Sequence, residues 1–437
     1  MTEAIDNIRT LVVGWESPYH ETKVWNFDVH EYLRFLFESM VNYDASDLYL
    51  TFWETPVYRI YWETLRVQGL AKLDDNMLKS FWNLLIKTDA DKDLFQKNMS
   101  VDLWVSLNGR RYRVNVSKQR THLMVVARLL AEKVPTIDSL WLPQIFKALM
   151  NRTSGLIFVA WPTGSWKSTT LAAMVEEVNM YKHRHIITIE DPIEYMFNPQ
   201  NCIFEQKQLW RDITSFASAM KYALRQRPDI ILFWEARDPE SLENAMALAE
   251  TGHLVITTIH SRSVEQTVNK IISMFPTDKQ DQIRNNLSEN LVAIIVQKLL
   301  KRKDWNGMVP AHEIVLNNTA IENAIREDKL NQIDNVISTN RAAWMQLLDD
   351  DLAKLVIEWK VDLQDTVEHV RDMAHFRDAI SNAWISFQII QNKIYFRKSQ
   401  QILLTFYYVI FSKILFITPM IYILICRIFF FIFNIFF

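Results

Sequence analysis

The residues Trp161-Pro162-Thr163-Gly164-Ser165-Trp166-Lys167-Ser168-Thr169 follow a continuous apolar run, Gly155-Leu-Ile-Phe-Val-Ala, and open a helical pattern over Thr170 to Val178. They satisfy the phosphate-binding pattern G-x-x-x-x-G-K-[ST] everywhere but at its two glycines, which are Trp161 and Trp166. In such a loop the backbone N–H groups curl around the phosphates, the lysine reaches the β and γ phosphates, and the serine hydroxyl ligates Mg²⁺. That chemistry assigns nucleotide contact to residues 161–169 and Mg²⁺ to Ser168. Taken literally, the two indoles oppose it, because glycine serves there by adopting positive φ and letting the backbone approach the ligand. Farther on, Asp229-Ile-Ile-Leu-Phe-Trp234-Glu235 is an apolar strand ending in an acid. This is where a phosphate-loop enzyme keeps a carboxylate for Mg²⁺ or for the attacking water, so Glu235 is the expected second metal and catalytic group.

Such groups need strands to carry them. The runs Ile186-Ile-Thr-Ile, Ile230-Ile-Leu-Phe and Leu254-Val-Ile-Thr-Thr-Ile alternate with helix-length segments at Thr214 to Gln226 and Asp238 to Glu250. The alternation predicts an α/β layer with a mainly parallel sheet. Upstream, Asp47-Leu-Tyr-Leu-Thr-Phe, Pro56-Val-Tyr-Arg-Ile-Tyr and Arg111-Tyr-Arg-Val-Asn-Val read as short strands with a helical stretch around Asn76 to Lys87. An N-terminal α+β domain over residues 1–130 is therefore expected. Residues 131–142 read as a linker and residues 143–370 as the second domain, in which Asp278 to Glu358 reads as helix-rich and polar.

The chain has 437 residues, 49% apolar and 23% charged, which fits two or three domains with a sizeable core. A formal net charge of −3 argues against nucleic acid as a partner. Cys202 and Cys426 are too few for a disulfide framework or a four-thiolate zinc site and fit a reducing compartment. Met1 to Thr10 is polar and acidic, so no signal peptide is expected. Residues 385–437 differ in character, with 14 Ile, 11 Phe and no acid in 53 residues. They read either as a membrane span over Ile402 to Cys426, interrupted by Lys413, or as translation of AT-rich DNA that is not native protein. The counts of 7 Gly and 15 Trp are abnormal, since about 7% glycine, or roughly 30 residues, is ordinary.

Six segments carry a resemblance. Ile189-Glu190-Asp191-Pro192-Ile193-Glu194, Arg225-Gln-Arg-Pro-Asp229-Ile-Ile-Leu-Phe-Trp-Glu235-Ala-Arg237-Asp238 and Glu250-Thr-Gly252-His253-Leu-Val-Ile-Thr-Thr-Ile-His260 resemble the Asp box, Walker B and His box of the type II/IV secretion ATPase superfamily. Ala45-Ser-Asp-Leu-Tyr-Leu and Arg111-Tyr-Arg-Val-Asn-Val-Ser-Lys-Gln-Arg120 resemble its PAS-like N-terminal domain, and Ala320-Ile-Glu-Asn-Ala-Ile-Arg326-Glu-Asp-Lys its pilus-retraction (PilT) branch. The resemblance implies a RecA-like ATPase domain and a homohexamer that binds ATP and Mg²⁺ between subunits and turns hydrolysis into domain rotation. The ring is expected in the cytoplasm, peripheral to the inner membrane and docked on a pilus platform protein, driving retraction and twitching motility. By the same analogy Lys167 and Ser168 hold phosphate and Mg²⁺, and Glu235 orients or deprotonates water. Glu190, Asp191 and Glu194 are supporting acids or alternative bases, and His253 and His260 sense the γ-phosphate or couple it to motion. Arg111, Arg113, Arg120 and Arg128 are the candidate positive fingers. The alternatives are a pilus-assembly or type II secretion ATPase, which commonly adds a four-cysteine zinc module, and an inactive structural paralogue.

Against the family pattern, Trp53, Trp62, Trp141, Trp161, Trp166, Trp210, Trp234, Trp305, Trp344 and Trp359 stand where glycine is usual. A gene that uses UGA for glycine, translated as though UGA meant tryptophan, accounts for both the Trp surplus and the Gly deficit. Decay to an inactive paralogue would also have damaged Lys167, Ser168, Glu190, Glu235 and His260, all of which are in place.

Overall fold

A computed structural model of the chain describes residues 28–60, 63–67, 70–160, 167–304 and 307–381. The loop 161–166 and the apolar tail lie outside these. Among the described residues no helix is long and apolar enough to cross a membrane.

The fold is mixed α/β, built on two sheets. The first has six antiparallel strands: β1 (Ala45–Thr51), β2 (Val57–Ile60), β3 (Glu63–Arg66), β4 (Ser100–Leu107), β5 (Arg110–Gln119) and β6 (His122–Leu129), in the order β3-β2-β1-β6-β5-β4. Its strands alternate buried and outward residues, as an antiparallel sheet with one covered face requires. The cover is α1 (Val29–Asn42) and α2 (Asp75–Leu85), whose Tyr32, Leu36, Phe37, Leu78 and Phe81 pack on Leu48, Val114, Val116 and Val125. Asp28 and Asp74 cap the two helices by accepting backbone N–H bonds from His30 and Met77. A short α3 (Asp89–Asn98) precedes β4.

The second sheet carries the phosphate-loop pattern. After α4 (Ile145–Leu149) come β7 (Gly155–Ala160), α5 (Lys167–Tyr181), β8 (His185–Glu190), β9 (Ile203–Gln208), α6 (Phe216–Ala223), β10 (Ile230–Phe233), α7 (Pro239–Glu250) and β11 (Leu254–Ile259). Then follow α8 (Val264–Ser273), α9 (Thr277–Asn290), β12 (Leu291–Lys301) and β13 (Met308–Leu316). The strand order is β13-β12-β7-β11-β10-β8-β9, all neighbours parallel except the β12–β13 pair. β7, β10 and β11 are buried along their whole length, which is why they read as unbroken apolar runs. The two sheet faces support separate cores, one under α6, α7 and α8 and the other under α4 and α5. At Gly155 φ is +112° and a Cβ would sit 2.4 Å from Val292 Cγ2, so only glycine lets β12 lie against the start of β7. Beyond β13 lie α10 (Thr319–Arg326), α11 (Ile333–Thr339), α12 (Leu348–Ile357) and α13 (Leu363–Val367).

The expected parallel layer and its helices are present, with α6 and α7 inside the anticipated segments. The region Asp278 to Glu358, expected to be helix-rich and polar, needs correction. It also holds β12 and β13, two long buried strands of the main sheet. Leu291-Val-Ala-Ile-Ile-Val is an apolar run whose periodicity does not separate a buried strand from a buried helix.

Candidate functional site

In a parallel α/β layer, ligands meet the carboxyl ends of the strands. Here that edge is formed by Ala160, Glu190, Phe233 and Ile259, the last residues of β7, β8, β10 and β11; Ala160 and Ile259 are register partners, and Phe233 pairs with Ile189 and Thr257. α5 begins at this edge, and its first turn places Ser168 and Thr170 in buried positions. A 15-residue helix presents free N–H groups and positive potential at its start, the ready-made seat for a phosphate. Lys167 is its first residue, and Trp161, Pro162, Thr163, Gly164, Ser165 and Trp166 lie outside the described residues.

Glu235 sits two residues past β10, on backbone held by β11. The Thr258 hydroxyl donates to the Trp234 carbonyl at 2.9 Å, and the Ala236 N–H donates to the Thr258 carbonyl at 3.0 Å. The carboxylate, only 13% exposed, accepts from Arg237 Nε at 2.8 Å and lies 3.3 Å from His260 Nε2. His260 directly follows β11, and its carbonyl accepts from Lys270 Nζ of α8 at 3.0 Å. Arg237 also reaches within 3.8 Å of Asp191. The Arg237 guanidinium therefore joins Glu235 to Asp191, and Glu235 in turn joins it to His260.

Glu190 closes β8 and is buried. Its Oε1 accepts from Thr188 at 2.6 Å and from Gln206 Nε2 at 3.2 Å. Burial pushes its carboxyl up to about 7, against these hydrogen bonds, and the charge of Glu194 adds to the rise. Asp191 and Glu194 follow on the same turn. Tyr195 then joins this turn to α5, its hydroxyl 3.0 Å from Thr169 Oγ1.

An acid raised to about 7 is neutral in the native state where the unfolded chain has already lost its proton. Stability therefore falls as pH rises from the ordinary carboxylate range through 7, and the full penalty is present above 7. Glu190→Gln removes it, so the variant's gain in melting temperature is expected to be larger at pH 8.5 than at pH 5. The difference should be on the order of 2 kcal/mol, which thermal melts at both pH values would read. An equal gain at both would place the charge elsewhere.

The four arginines divide. Partial burial lowers the Arg111 guanidinium while the charge of Glu190 opposes the shift, and Arg128, 2.8 Å from Asp47, is raised by that pair and by Glu194. Each therefore feels the charge of one acid after or at the end of β8, Arg111 that of Glu190 and Arg128 that of Glu194. Arg113 pairs with Asp102 on the neighbouring strand at 3.2 Å, and Arg120 occupies the β5–β6 turn with φ of +48°.

His253 and His260, expected to sense the γ-phosphate or to couple it to motion, stand apart within one chain. His253 precedes β11, with Nδ1 bonded to the Leu248 carbonyl at 3.0 Å, whereas His260 follows that strand. The strand between them spans roughly 20 Å, so the two histidines occupy opposite edges of the sheet. Sequence reasoning missed Tyr195 as a site residue and treated Arg237 only as part of a motif. Arg237's position two residues past Glu235 was the available signal, whereas Tyr195 offered none.

The tryptophan positions divide by backbone. Trp53, Trp141, Trp210, Trp344 and Trp359 have φ between +54° and +69° and are 54–75% exposed. All four described glycines, Gly109, Gly155, Gly252 and Gly307, also have positive φ. Trp359 follows the end of α12, where its N–H donates to the Val356 carbonyl and the Lys360 N–H to the Leu355 carbonyl. That is the helix-ending arrangement whose left-handed residue is usually glycine. Trp234 does not have positive φ, and positions 62, 161, 166 and 305 lie outside the described residues.

A buried parallel sheet, a Lys-Ser helix start and a carboxylate at the end of a nearby strand define a phosphate-loop protein. The chain belongs to the Type II/IV secretion system protein family, which it matches over residues 28–384. It is 37% identical over 350 residues to a twitching motility protein of Neisseria gonorrhoeae, covering 79% of this chain and 92% of that one. It is also 37% identical over 333 residues to the type IV pilus retraction ATPase PilT of Pseudomonas aeruginosa, covering 76% and 96%. Among solved structures, that of the pilus retraction motor PilT with bound ADP matches with a TM-score of 0.73 at 35% identity, over 79% of this chain and 99% of that one.

Proposed function

We propose that the chain is an ATP-hydrolysing motor of type IV pilus retraction, with glycine at positions 161 and 166 of its active form. The observation that carries the reading is the meeting of Glu235, His260, Asp191 and Arg237 at the sheet edge where α5 begins. In this reading residues 143–370 form a RecA-like ATPase domain and residues 1–130 a PAS-like domain that turns against it. Residues 161–169 cradle the phosphates, with Lys167 supplying charge. The Glu235 carboxylate, held by Arg237 and His260, takes a proton from the attacking water, and His260 links its state to α8 through Lys270. Asp191 shares the Arg237 guanidinium, and Glu190 and Glu194 set the charge facing Arg111 and Arg128.

Mg²⁺ suits this donor set. Ser168 in the first turn of α5 and Glu235 just past β10 are hard oxygen donors at the same edge of the sheet, and Mg²⁺ takes few protein ligands because it keeps water and substrate phosphate in its shell. When bound it neutralises phosphate charge. The ring is a homohexamer in the cytoplasm, associated peripherally with the inner membrane through a pilus platform protein.

If nucleotide lies between subunits, an arginine of one chain completes its neighbour's site. With glycine restored at 161 and 166, mixing Arg113→Ala and Lys167→Ala chains is expected to raise hydrolysis about tenfold over either alone, since a positive finger is worth about 10³–10⁵ in rate. Steady-state ATPase assays on rings verified as mixed would read this. No recovery with Arg111, Arg113, Arg120 or Arg128 as the altered residue would count against a site shared between subunits.

A further inference from the structure

β12 and β13 carry polar side chains that the proposed reaction does not use. Gln297 and His312 are register partners across the pair, 1% exposed each. Gln297 lies one residue past Val296, the partner of Ala160, so it stands where β7 ends and the phosphate loop begins. Its Oε1 accepts from the Thr170 hydroxyl of α5 at 2.8 Å and lies 3.2 Å from His312 Nε2. The His312 backbone N–H donates to Asp351 Oδ2 of α12 at 2.9 Å, and its Nδ1 lies 3.7 Å from the same oxygen. Gln297 Nε2 is buried with no partner among the described residues.

The other face of the same strands makes a second tie. Glu313, fully buried, accepts the Val264 N–H at the start of α8 at 3.3 Å and pairs with Arg371 at 2.7 Å. The Arg371 N–H in turn donates to Asp349 of α12 at 3.0 Å. α12 is thus tied through one face of β12–β13 to the helix that begins with Lys167, and through the other to the helix that follows His260.

We propose that Gln297 is a positioning residue for nucleotide. Through Thr170 it fixes the first turn of α5, which carries Lys167 and Ser168, and through His312 and Asp351 it links that turn to α12. Buried carboxamides have fixed bonding demands, so a shift of either helix breaks a hydrogen bond that water cannot replace. The inference rests on the proposed phosphate site at the start of α5.

The test compares Thr170→Val, which keeps shape and loses the hydroxyl, with Thr170→Ser, which keeps the hydroxyl, in the full chain with glycine at 161 and 166. Thr170→Val is expected to lower kcat/KM for MgATP about tenfold, and Thr170→Ser to stay within about twofold. Gln297→Met should act like Thr170→Val, and combining the two should cost no more than either alone. Hydrogen exchange over residues 167–175 should quicken about tenfold in Thr170→Val and Gln297→Met without nucleotide, and hold in Thr170→Ser. This arm needs no hydrolysis, so it decides the inference even if the restored chain proves inactive, which would count only against the proposed function. Equal exchange in the valine and serine variants, or additive losses in the double variant, would overturn it.

Discussion

Changing Trp161 and Trp166 together to glycine is expected to switch on Mg²⁺-dependent ATP hydrolysis in a chain that otherwise has almost none. The gain should reach about a thousandfold, because the loop's N–H groups act as preorganised donors, and losing even one such donor costs about 10²–10³ in rate. An indole at 161 or 166 blocks the approach of backbone to phosphate and disfavours the positive φ that turns N–H groups inward. In the restored chain Lys167→Ala should abolish turnover by removing the phosphate charge contact. Glu235→Gln should lower kcat while leaving nucleotide affinity within a few-fold, since the proton acceptor is lost and the phosphate seat is kept. A steady-state ATPase assay with a nucleotide-binding titration reads all four chains. Equal turnover in the tryptophan and glycine chains would refute the loop argument.

Glycine at 53, 141, 210, 344 and 359 is expected to stabilise the fold by about 2 kcal/mol in total. A side chain in left-handed backbone costs about 1–2 kcal/mol, of which glycine's extra freedom in the unfolded chain takes back about 0.4–1. Three of the indoles also receive a cation, Lys72 over Trp53, Arg302 over Trp141 and Lys303 over Trp359. Each such contact is worth about 0.5–1 kcal/mol at an exposed site, so the clearest gains should come at Trp210 and Trp344. Alanine at those two positions is the control, because it removes the indole and keeps the Cβ that meets the strain. Trp82 should respond oppositely: it lies inside α2, packs edge-on against Phe95 with centroids 6.0 Å apart, and its change to glycine should destabilise. Denaturant midpoints for the set decide the matter. Alanine performing as well as glycine at 210 and 344 would mean that backbone conformation is not the cause.

These two predictions connect one chemical anomaly across the molecule. A degenerate paralogue has no reason to gather its tryptophans at left-handed turns, whereas misread glycine codons fall wherever glycine was needed. The positions with positive φ lie in turns and at helix ends on both sheets, remote from any single site. Trp82 and Trp104, which are not among the ten positions where glycine is expected, lie in a helix and a strand.

Local chemistry determined much of this protein. The unbroken apolar runs of β7, β10 and β11 declared strands buried on both faces. Lys167-Ser168 at a strand-to-helix junction pointed to the candidate phosphate seat, and the shortage of glycine pointed to the tryptophans. Each of these depends on residue type and near neighbours, which a linear text preserves. Only the tertiary structure decided that Leu291–Lys301 and Met308–Leu316 are strands, since an apolar run becomes strand or helix according to what it packs against. Only pairing across the sheet brought His260 onto Glu235 and left His253 at the far edge, because a strand's two ends look alike in sequence but are separated by its whole length. Burial of Glu190 likewise arises from strands and turns closing around the end of β8, and the bond from Thr170 to Gln297 joins elements 127 residues apart, which fixes the dielectric and the partners that the amino-acid types leave open.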